Sequence, residues 1–370
     1  MLKVLAAVGT RPEAIKLGPL LLRLRQERGL QVRICATAQH RDLLDAALRV
    51  FGLAPHADLD LMRAGQAPGQ VLRRVLGGMD RVLREQRPGL VLVQGDTTTA
   101  LGAALAAFHR RIPVAHVEAG LRTGDLGRPF PEEANRALID RLSDLLFAPT
   151  AGARRNLLRE GVPPRRIRVT GNTAVDAVLW ARGRRRGFRH PALRRLGAGP
   201  LAVVTLHRRE SFGAPLEGIF AAVLAAAERL PGLRWVYPVH DNPAVRGPAR
   251  RLLRHPRILL TPPLDYLDFV RLMERSLFIL TDSGGVQEEA PSLGKPVIVA
   301  RERTERPELL GRGGTLAGTS GPGLLRVLLE HARRPPAPAP ARRNPFGDGR
   351  ASERIARALL GWARGRPQPR

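Results

Sequence analysis

An acidic loop is the most unusual chemical feature of this basic chain. The 370 residues carry a formal net charge of +28, yet residues 116–136, HVEAGLRTGDLGRPFPEEANR, contain four carboxylates: Glu118, Asp125, Glu132 and Glu133. Carboxylates are suited to general acid and base catalysis. A proline followed by two glutamates is also typical of a helix start, so helix capping accounts for one or two of these acids. We therefore assign Glu118 and Glu132 to chemistry, and we expect loop and helix-dipole roles for Asp125 and Glu133.

A further carboxylate, Asp96, follows a buried strand in the segment VQGDTTTALG. Capping of the next helix would explain this aspartate without any function, because its carboxylate can accept from the free amides there. Glu118, however, follows the next strand along the chain, IPVAHVE. If consecutive strands pair, Asp96 and Glu118 lie at the same edge of one sheet. Helix capping does not account for such a pair.

Two cationic residues follow the first strand, in GTRPEAIKLGPL. Arg11 stands at the strand end, and Lys16 is one of only three lysines, with Lys3 and Lys295, in a chain that otherwise uses arginine. A lysine here indicates a need for a compact ammonium group, although a solvated first helical turn remains the alternative. The loop is neither a GxGxxG dinucleotide loop nor a P-loop. The sequence therefore predicts no nicotinamide or flavin cofactor.

A glycine-rich turn in the second half of the chain carries the strongest signal for anion binding. In TDSGGVQEEAPSLGKP, Ser283, Gly284 and Gly285 follow a strand and open a helix. The free amides and the dipole of such a helix start can hold a diphosphate, which glycine allows to approach closely. Glu289, one turn later, is placed to accept from ribose hydroxyls, and Arg306 in TERPE is expected to be a mobile counter-charge.

A histidine follows another strand of the second half, in TLHRRESFG. His207 is followed directly by Arg208 and Arg209. A histidine in this position could be structural, could contact a phosphate, or could act as an acid or base.

Strands rich in valine, leucine and isoleucine alternate with helices along nearly the whole chain. The series begins with LKVLAAV and continues through VRICAT, GLVLVQGD, IPVAHVEAG, SDLLFAPT and RIRVTGN. It restarts at LAVVTLH and includes LRWVYPVH, RILLTPP, LFILTDSGG and KPVIVARE. Continuous apolar strands of this kind predict parallel sheets covered by helices on both faces, and hence an α/β fold in two parts.

A change in composition suggests the domain boundaries. Residues 182–200 lose the apolar periodicity and are predicted to be a linker. An N-terminal Rossmann-like domain then spans 1–181 and a C-terminal one spans 201–349, while a final amphipathic helix in 350–370 is expected to pack back on the first domain. Two doubly wound domains that face each other place a ligand in the cleft between them, beyond the carboxyl ends of their strands.

The composition also limits the class of partner. A pI near 11.8 would suggest nucleic acid, but arginines are spread along the chain, aromatic residues are only 4%, and no nucleic-acid-binding motif is present. We expect an anionic small molecule instead of a specific nucleic acid. The only cysteine, Cys35, excludes a thiolate metal cluster, and no metal site is predicted. No long apolar run or signal peptide is found, so a cytoplasmic protein without a membrane partner is expected.

The motifs taken together resemble the bacterial, non-hydrolysing UDP-N-acetylglucosamine 2-epimerases. The resemblance extends from residue 3 to about residue 360, in order and without large gaps. It is carried by GTRPEAIKLGPL, TAQHRDLLD, VQGDTTTALG, HVEAGLRTGD, PFPEEANR, VTGNTAVDA, TLHRRESFG, YPVHDNP, TDSGGVQEEAPSLGKPV, TERPE and NPFGDG. No single one of these motifs would suffice.

The resemblance implies a two-domain GT-B fold, a homodimer and the reversible conversion of UDP-N-acetylglucosamine to UDP-N-acetylmannosamine. The active-site residues that it implies are Asp96, Glu118, Glu132 and His207. Arg136 would lie on the substrate side, and the contacts to UDP would be made by Arg11, Lys16, Phe269, Ser283, Gly284, Gly285, Glu289 and Arg306. Some members are activated by their own substrate at a second site, which would correspond to Gln39, Arg208 and His240.

Departures from the family pattern leave the acids untouched. Ser211 replaces a frequent asparagine, Leu264 replaces a glutamine of some members, and Asp42 stands where certain substrate-activated members have a second glutamine. Two other enzymes remain as alternatives: a GT-B glycosyltransferase with a UDP-sugar donor, and a hydrolysing epimerase that releases N-acetylmannosamine. A non-enzymatic binder that acts through its basic surface is a third.

Overall fold

The chain forms two compact α/β units. The computed structural model describes residues 1–37, 41–61, 65–184, 187–334 and 344–365. The first unit comprises Met1–Ala177 together with Phe346–Arg370, and the second comprises Val178–Pro345. The division falls inside a helix and not in residues 182–200, where the composition had suggested a linker.

The first unit is a parallel sheet with helices between its strands. Its strands are β1 (Leu2–Val8), β2 (Leu30–Ala36), β3 (Ala57–Asp58), β4 (Leu90–Gln94), β5 (Val114–Val117), β6 (Leu145–Ala148) and β7 (Ile167–Val169). Its helices are α1 (Arg11–Arg25), α2 (Arg41–Val50), α3 (Pro68–Gln86), α4 (Thr98–His109), α5 (Glu132–Leu142) and α6 (Ala151–Arg159), and α7 (Thr173–Arg182) crosses into the second unit. The described strands are ordered β3-β2-β1-β4-β5-β6-β7 and pair in parallel throughout. The order therefore reverses between β1 and β4, the switch point at which ligands bind in open α/β sheets.

The second unit repeats this plan. Its helices are α8 (Pro191–Arg194), α9 (Ala214–Arg229), α10 (Pro243–Leu252), α11 (Tyr266–Arg275), α12 (Gly284–Glu289) and α13 (Gly321–Arg333). Its strands are β8 (Leu201–Thr205), β9 (Arg234–Pro238), β10 (Ile258–Thr261), β11 (Ile279–Thr281), β12 (Val297–Val299) and β13 (Gly314–Leu316). The parallel order is β10-β9-β8-β11-β12-β13, so the switch point lies between β8 and β11.

Buried apolar side chains explain why these strands form. The central strands of the first unit are buried on both faces, and β4 has all five of its residues inside. The core of the second unit contains large aromatic side chains, including Phe220, Trp235, Tyr237 and Phe278. Burial of this kind is the main stabilising term in a folded domain. The predicted α/β class with two parallel sheets is confirmed. Among the described residues, no helix is both long and apolar enough to cross a bilayer.

The last helix, α14 (Ala351–Arg364), belongs to the first unit, where it packs against α1. The buried Asp176 accepts hydrogen bonds from the backbone amides of Ala351 (3.1 Å) and Ser352 (2.7 Å), and it thereby caps the start of α14. A carboxylate at this place satisfies amides that have no partner inside the helix.

We expect Asp176→Ala to lower the free energy of unfolding by about 1–2 kcal/mol, since it removes the cap of α14. Urea unfolding of the full chain measures this change. Asp176→Asn is the matched control, because it keeps an acceptor oxygen and should lose less. Equal stability of Asp176→Ala and wild type would contradict the capping role.

Candidate active site

Asp96 lies directly beyond β4, at the switch point of the first sheet. Its carboxylate pairs with the guanidinium of Arg136, whose Nε is 3.1 Å from Asp96 Oδ2 and whose Nη2 donates to the same oxygen. The neighbouring Asn135 donates from Nδ2 to the Asp96 carbonyl oxygen at 2.9 Å. Both partners stand on α5, so this helix fixes the position of Asp96. A guanidinium partner favours the charged form of a carboxyl group.

Glu118 lies beyond β5, the next strand in the sheet, and is buried. Its Oε2 accepts from Lys16, with which it forms an ion pair, from Gln94 Nε2 at 3.1 Å and from Asn172 Nδ2 at 3.4 Å. Glu118 also has a φ of 72°, which is unusual for a residue other than glycine. A strained backbone held by its surroundings is typical of functional sites.

The two glutamates at the start of α5 differ in environment. Glu132 is the first residue of the helix and is half-buried. Glu133 is buried and accepts from the amides of Thr123 (2.9 Å) and Gly124 (3.1 Å) and from Arg136 Nη1 (3.1 Å). The second glutamate therefore holds the acidic loop in shape. Asp125 is exposed and accepts from the Gly127 amide at 2.9 Å, which is a local loop contact.

Glu13 is a buried acid that we did not single out from the sequence. Its Oε2 accepts from the amides of Gly9 (2.6 Å) and Thr10 (2.7 Å), and its Oε1 accepts from the Thr97 hydroxyl at 2.5 Å. Glu13 thus joins the loop after β1 to the loop after β4. Burial raises the pKa of Glu13 to about 7, although the hydrogen bonds from Thr97, Gly9 and Thr10 oppose this change. The capping-box spacing Thr10-x-x-Glu13 was the signal available in the sequence.

In the second unit, Asp282 organises the end of β8. It is fully buried and accepts from the amides of His207 (3.1 and 2.9 Å) and Arg208 (2.9 Å). The His207 ring stacks on the exposed His240, with 5.7 Å between the ring centroids. About two thirds of the His207 side chain is out of water, since 36% is exposed. Burial, with the positive charge of Arg208 and His240, lowers the pKa of His207 against the effect of Asp282.

The glycine turn lies where the sequence indicated, at the end of β11 and the start of α12. Ser283 is the residue before the helix, and its amide donates to the Thr281 hydroxyl at 2.9 Å. A Cβ on Gly284 would stand 2.6 Å from Cζ of Arg306, so the guanidinium occupies the place of a side chain there. A residue other than glycine would displace Arg306 from this turn.

Arg306, expected to be mobile, is buried and held by two acids. Its Nε is 2.9 Å from Glu288 Oε1, and its Nη1 is 3.0 Å from Glu305 Oε2. Glu305 is itself shared with Arg301 (2.7 Å) and Arg208 (3.8 Å). Burial alone would raise the pKa of Glu305, but the three arginines outweigh it and lower that pKa. A fixed guanidinium loses less entropy on binding an anion than a mobile one.

Two further predicted contacts stand on or beside α11. Phe269 is half-buried on this helix. Tyr266, also on α11, donates from its hydroxyl to Glu289 Oε1 at 3.4 Å, which directs the carboxylate that we expect to contact a ribose.

Gln39 lies outside the described residues. Arg11 is half-buried at the start of α1, beside the loop after β1.

The predicted site residues therefore fall into two groups, one in each unit. In the first unit, Arg136 contacts Asp96 and Lys16 contacts Glu118, while Arg11 and Glu132 stand at the starts of α1 and α5. In the second unit, His207 stacks on His240 and Arg306 lies against Gly284, while Phe269 and Glu289 stand on α11 and α12. Two doubly wound parallel α/β units define a protein of the GT-B fold class.

Comparison with known proteins gives the family. A family model described as UDP-N-acetylglucosamine 2-epimerase matches residues 22–360. UDP-N-acetylglucosamine 2-epimerase of Yersinia pestis is 49% identical over 97% of this chain and 98% of its own length. The Neisseria meningitidis enzyme bound to UDP-GlcNAc is 40% identical, with a TM-score of 0.93 over 97% of this chain and 100% of that one. S. aureus MnaA, whose structure was determined with UDP, is 41% identical, with a TM-score of 0.93 over 98% of this chain and 97% of that one. This chain belongs to the UDP-N-acetylglucosamine 2-epimerase family.

Proposed function

We propose that the protein is a cytoplasmic, non-hydrolysing enzyme that interconverts UDP-N-acetylglucosamine and UDP-N-acetylmannosamine. Membership of the family supports the reaction, and the Neisseria relative bound to UDP-GlcNAc supports the substrate. The observation that carries the proposal is the pair of acids beyond the neighbouring strands β4 and β5, each held by a cation: Asp96 by Arg136 and Glu118 by Lys16.

The chemistry explains why several acids are needed. The proton on carbon 2 of the sugar neighbours an acetal and not a carbonyl, so it cannot be removed by simple enolisation. In the proposed reaction the bond from carbon 1 to the diphosphate oxygen breaks, and UDP leaves with the electron pair. A base then takes the proton from carbon 2, which leaves 2-acetamidoglucal. Protonation of carbon 2 on the opposite face and return of UDP to carbon 1 give the epimer.

The second-unit group is suited to hold UDP during this sequence. Arg306 and the free amides at the start of α12 offer donors and positive charge to a diphosphate. Glu289 offers a carboxylate to the ribose hydroxyls, and Phe269 offers an aromatic face to the base. The family resemblance adds Arg11 and Lys16 as further proposed contacts to UDP. Retention of UDP is what separates epimerisation from hydrolysis, because the leaving group must remain for the return step.

The first-unit acids are suited to the proton transfers. Asp96 and Glu118 are held as carboxylates by cationic partners, which is the state of a base or of a group that stabilises the oxocarbenium character at carbon 1. Glu132 is half-buried at the start of α5 and completes the set of three. We propose that these three acids, with His207, share the roles of base, acid and charge stabiliser.

Product analysis with UDP-N-acetylglucosamine as the sole reactant tests the proposed function. Proton NMR should show a mixture of the two UDP-sugars that reaches the same composition from either side, with no free sugar. Accumulation of free N-acetylmannosamine and UDP would indicate the hydrolysing reaction. Reaction only after addition of a sugar acceptor would indicate a glycosyltransferase.

We also propose a homodimer, as the family resemblance implies. Exposed apolar side chains on neighbouring helices of the first unit support a protein contact: Phe108 on α4 is 54% exposed and Leu138 on α5 is 53% exposed. Leu138→Glu should shift the mass measured by light scattering toward the monomer. Leu316→Glu, at another exposed leucine, is the control. A monomeric wild type would contradict the proposal.

A second nucleotide site, proposed from the same resemblance, would use Arg208 and His240 with Gln39. Arg208 and His240 both flank His207, so a ligand bound there would act next to a residue of the active site. Sigmoidal dependence of the rate on UDP-N-acetylglucosamine would support this site, and hyperbolic dependence would exclude it.

A further inference from the structure

A buried histidine connects the turns that carry the two acids. His116 stands on β5, two residues before Glu118, and its side chain is fully buried. Its Nδ1 lies 2.6 Å from Asp140 Oδ1 on α5, and its Nε2 lies 2.8 Å from the carbonyl oxygen of Gly95. His116 belongs to neither group of site residues described above.

These two partners determine where the protons of the His116 ring lie. A carbonyl oxygen only accepts, so Nε2 must carry a proton toward Gly95. Asp140 is also paired with Arg122, which favours its carboxylate form. A carboxylate oxygen at 2.6 Å from Nδ1 then requires a proton on that nitrogen, because a bare nitrogen would direct its lone pair at an anion. Both ring nitrogens therefore donate, and His116 is an imidazolium paired with Asp140 inside the sheet. Such a charge-assisted bond is short and directional.

The Gly95 end of this bridge fixes the turn of Asp96. Gly95 has a φ of 69°, and its amide donates to the Val117 carbonyl at 3.1 Å. The carbonyl oxygen of Gly95, the residue before Asp96, is satisfied by the hydrogen bond from His116. The position of Asp96 thus depends on a contact made from β5, the strand that directly precedes Glu118.

The Asp140 end fixes the turn of Glu118. Asp140 Oδ2 accepts from the Gly120 amide at 3.0 Å and from Arg122 Nη2 at 2.8 Å. Glu118 and Gly120 both have left-handed backbones, with φ values of 72° and 84°. A glutamate with a left-handed backbone persists only where neighbouring contacts fix it. The bond from the Gly120 amide to Asp140 is one of these contacts.

We propose that His116, protonated on both ring nitrogens, is a positioning residue that sets the distance between Asp96 and Glu118 through Gly95 and Asp140. The proposal rests on the proposed epimerisation, for which both acids act on one sugar ring. A displacement of a catalytic group by about 1 Å can lower the rate on the order of 100-fold. Loss of a rigid link between the two acids should therefore lower kcat measurably.

Two amide variants separate the two ends of the bridge. His116→Gln can place its amide nitrogen near the site of Nε2 and keep the bond to Gly95, whereas His116→Asn can keep a donor near Nδ1 for Asp140. We expect kcat to fall by about 10- to 100-fold in both variants, because each retains only one end. KM and the Kd for UDP should change far less. His109→Gln, at an exposed histidine of the same unit, is the matched control.

The outcomes separate this role from the proposed function. If wild type forms no UDP-N-acetylmannosamine, the proposed function fails, and the positioning role fails with it. If wild type is active and both variants keep its kcat, only the positioning role is overturned. Loss of helical circular dichroism at the assay temperature in both variants would show that the role of His116 is only to maintain the fold. That result would also overturn the positioning role.

A measurement on wild type tests the protonation directly. Protein labelled with ¹⁵N in histidine should show a bonded proton on both ring nitrogens of His116 at neutral pH, with the signals assigned by their absence in His116→Gln. A single protonated ring nitrogen would overturn the imidazolium bridge.

Discussion

Asp96→Asn is expected to lower kcat for epimerisation by about 100-fold or more, with little change in the Kd for UDP. The variant keeps an oxygen that accepts from Arg136, so the turn after β4 should hold its shape. It loses the negative charge, and with it the ability to take a proton or to stabilise positive charge at carbon 1. The rate should therefore fall while the fold and the nucleotide contacts of the second unit persist.

Asp125→Asn is the matched control for this prediction. It makes the same chemical change in the same unit, at an exposed loop residue whose described side-chain contact is to Gly127. Its kcat should equal that of wild type. Undiminished epimerisation by Asp96→Asn, with UDP binding retained, would remove Asp96 from the mechanism.

The second large effect is expected at Arg306, in the affinity for UDP. The Arg306 guanidinium bonds Glu288 through Nε and Nη2 and Glu305 through Nη1, and it has five N–H donors in all, so donors remain for a phosphate. Arg306→Lys keeps the positive charge, but its single ammonium group cannot bond both acids in this way and also donate to a phosphate. Loss of such charge-assisted bonds corresponds to about 1.5–3 kcal/mol, or roughly a 10- to 100-fold higher Kd. Titration calorimetry with UDP measures the Kd of wild type and of Arg306→Lys.

Arg303→Lys is the control for Arg306→Lys, since Arg303 is exposed and directly precedes the TERPE segment. It should bind UDP as wild type does. Equal UDP affinity of Arg306→Lys and wild type would show that the buried arginine only neutralises Glu288 and Glu305.

Much of the fold could be read from the sequence, because its strands are short and apolar throughout. Runs such as GLVLVQGD and LFILTDSGG predicted β4 and β11, and the residues after them are at the carboxyl ends of strands, as expected. A parallel sheet gathers such ends along one edge, so the neighbourhood of Asp96 and Glu118 followed from strand order alone. The helix α3, in contrast, was not predicted, although its buried face repeats with helical spacing.

The supporting contacts of the site could not be predicted. His116 reaches Asp140 and Gly95, each more than 20 residues away. Glu305 collects arginines from separate loops, and a single sequence does not show which of many arginines it meets. Arg306 was expected to be mobile because nothing in TERPE indicated burial. The boundary between the units falls within the uninterrupted helix α7, and the change in composition at residues 182–200 comes after it.

Hydrogen exchange at carbon 2 tests the central claim most directly. UDP-N-acetylglucosamine is incubated with the enzyme in deuterated water, and both UDP-sugars are followed by NMR. Elimination and return of UDP through 2-acetamidoglucal predict that each epimer gains one deuterium at carbon 2 as equilibrium is reached. Epimerisation with the original proton retained at carbon 2 would contradict the account.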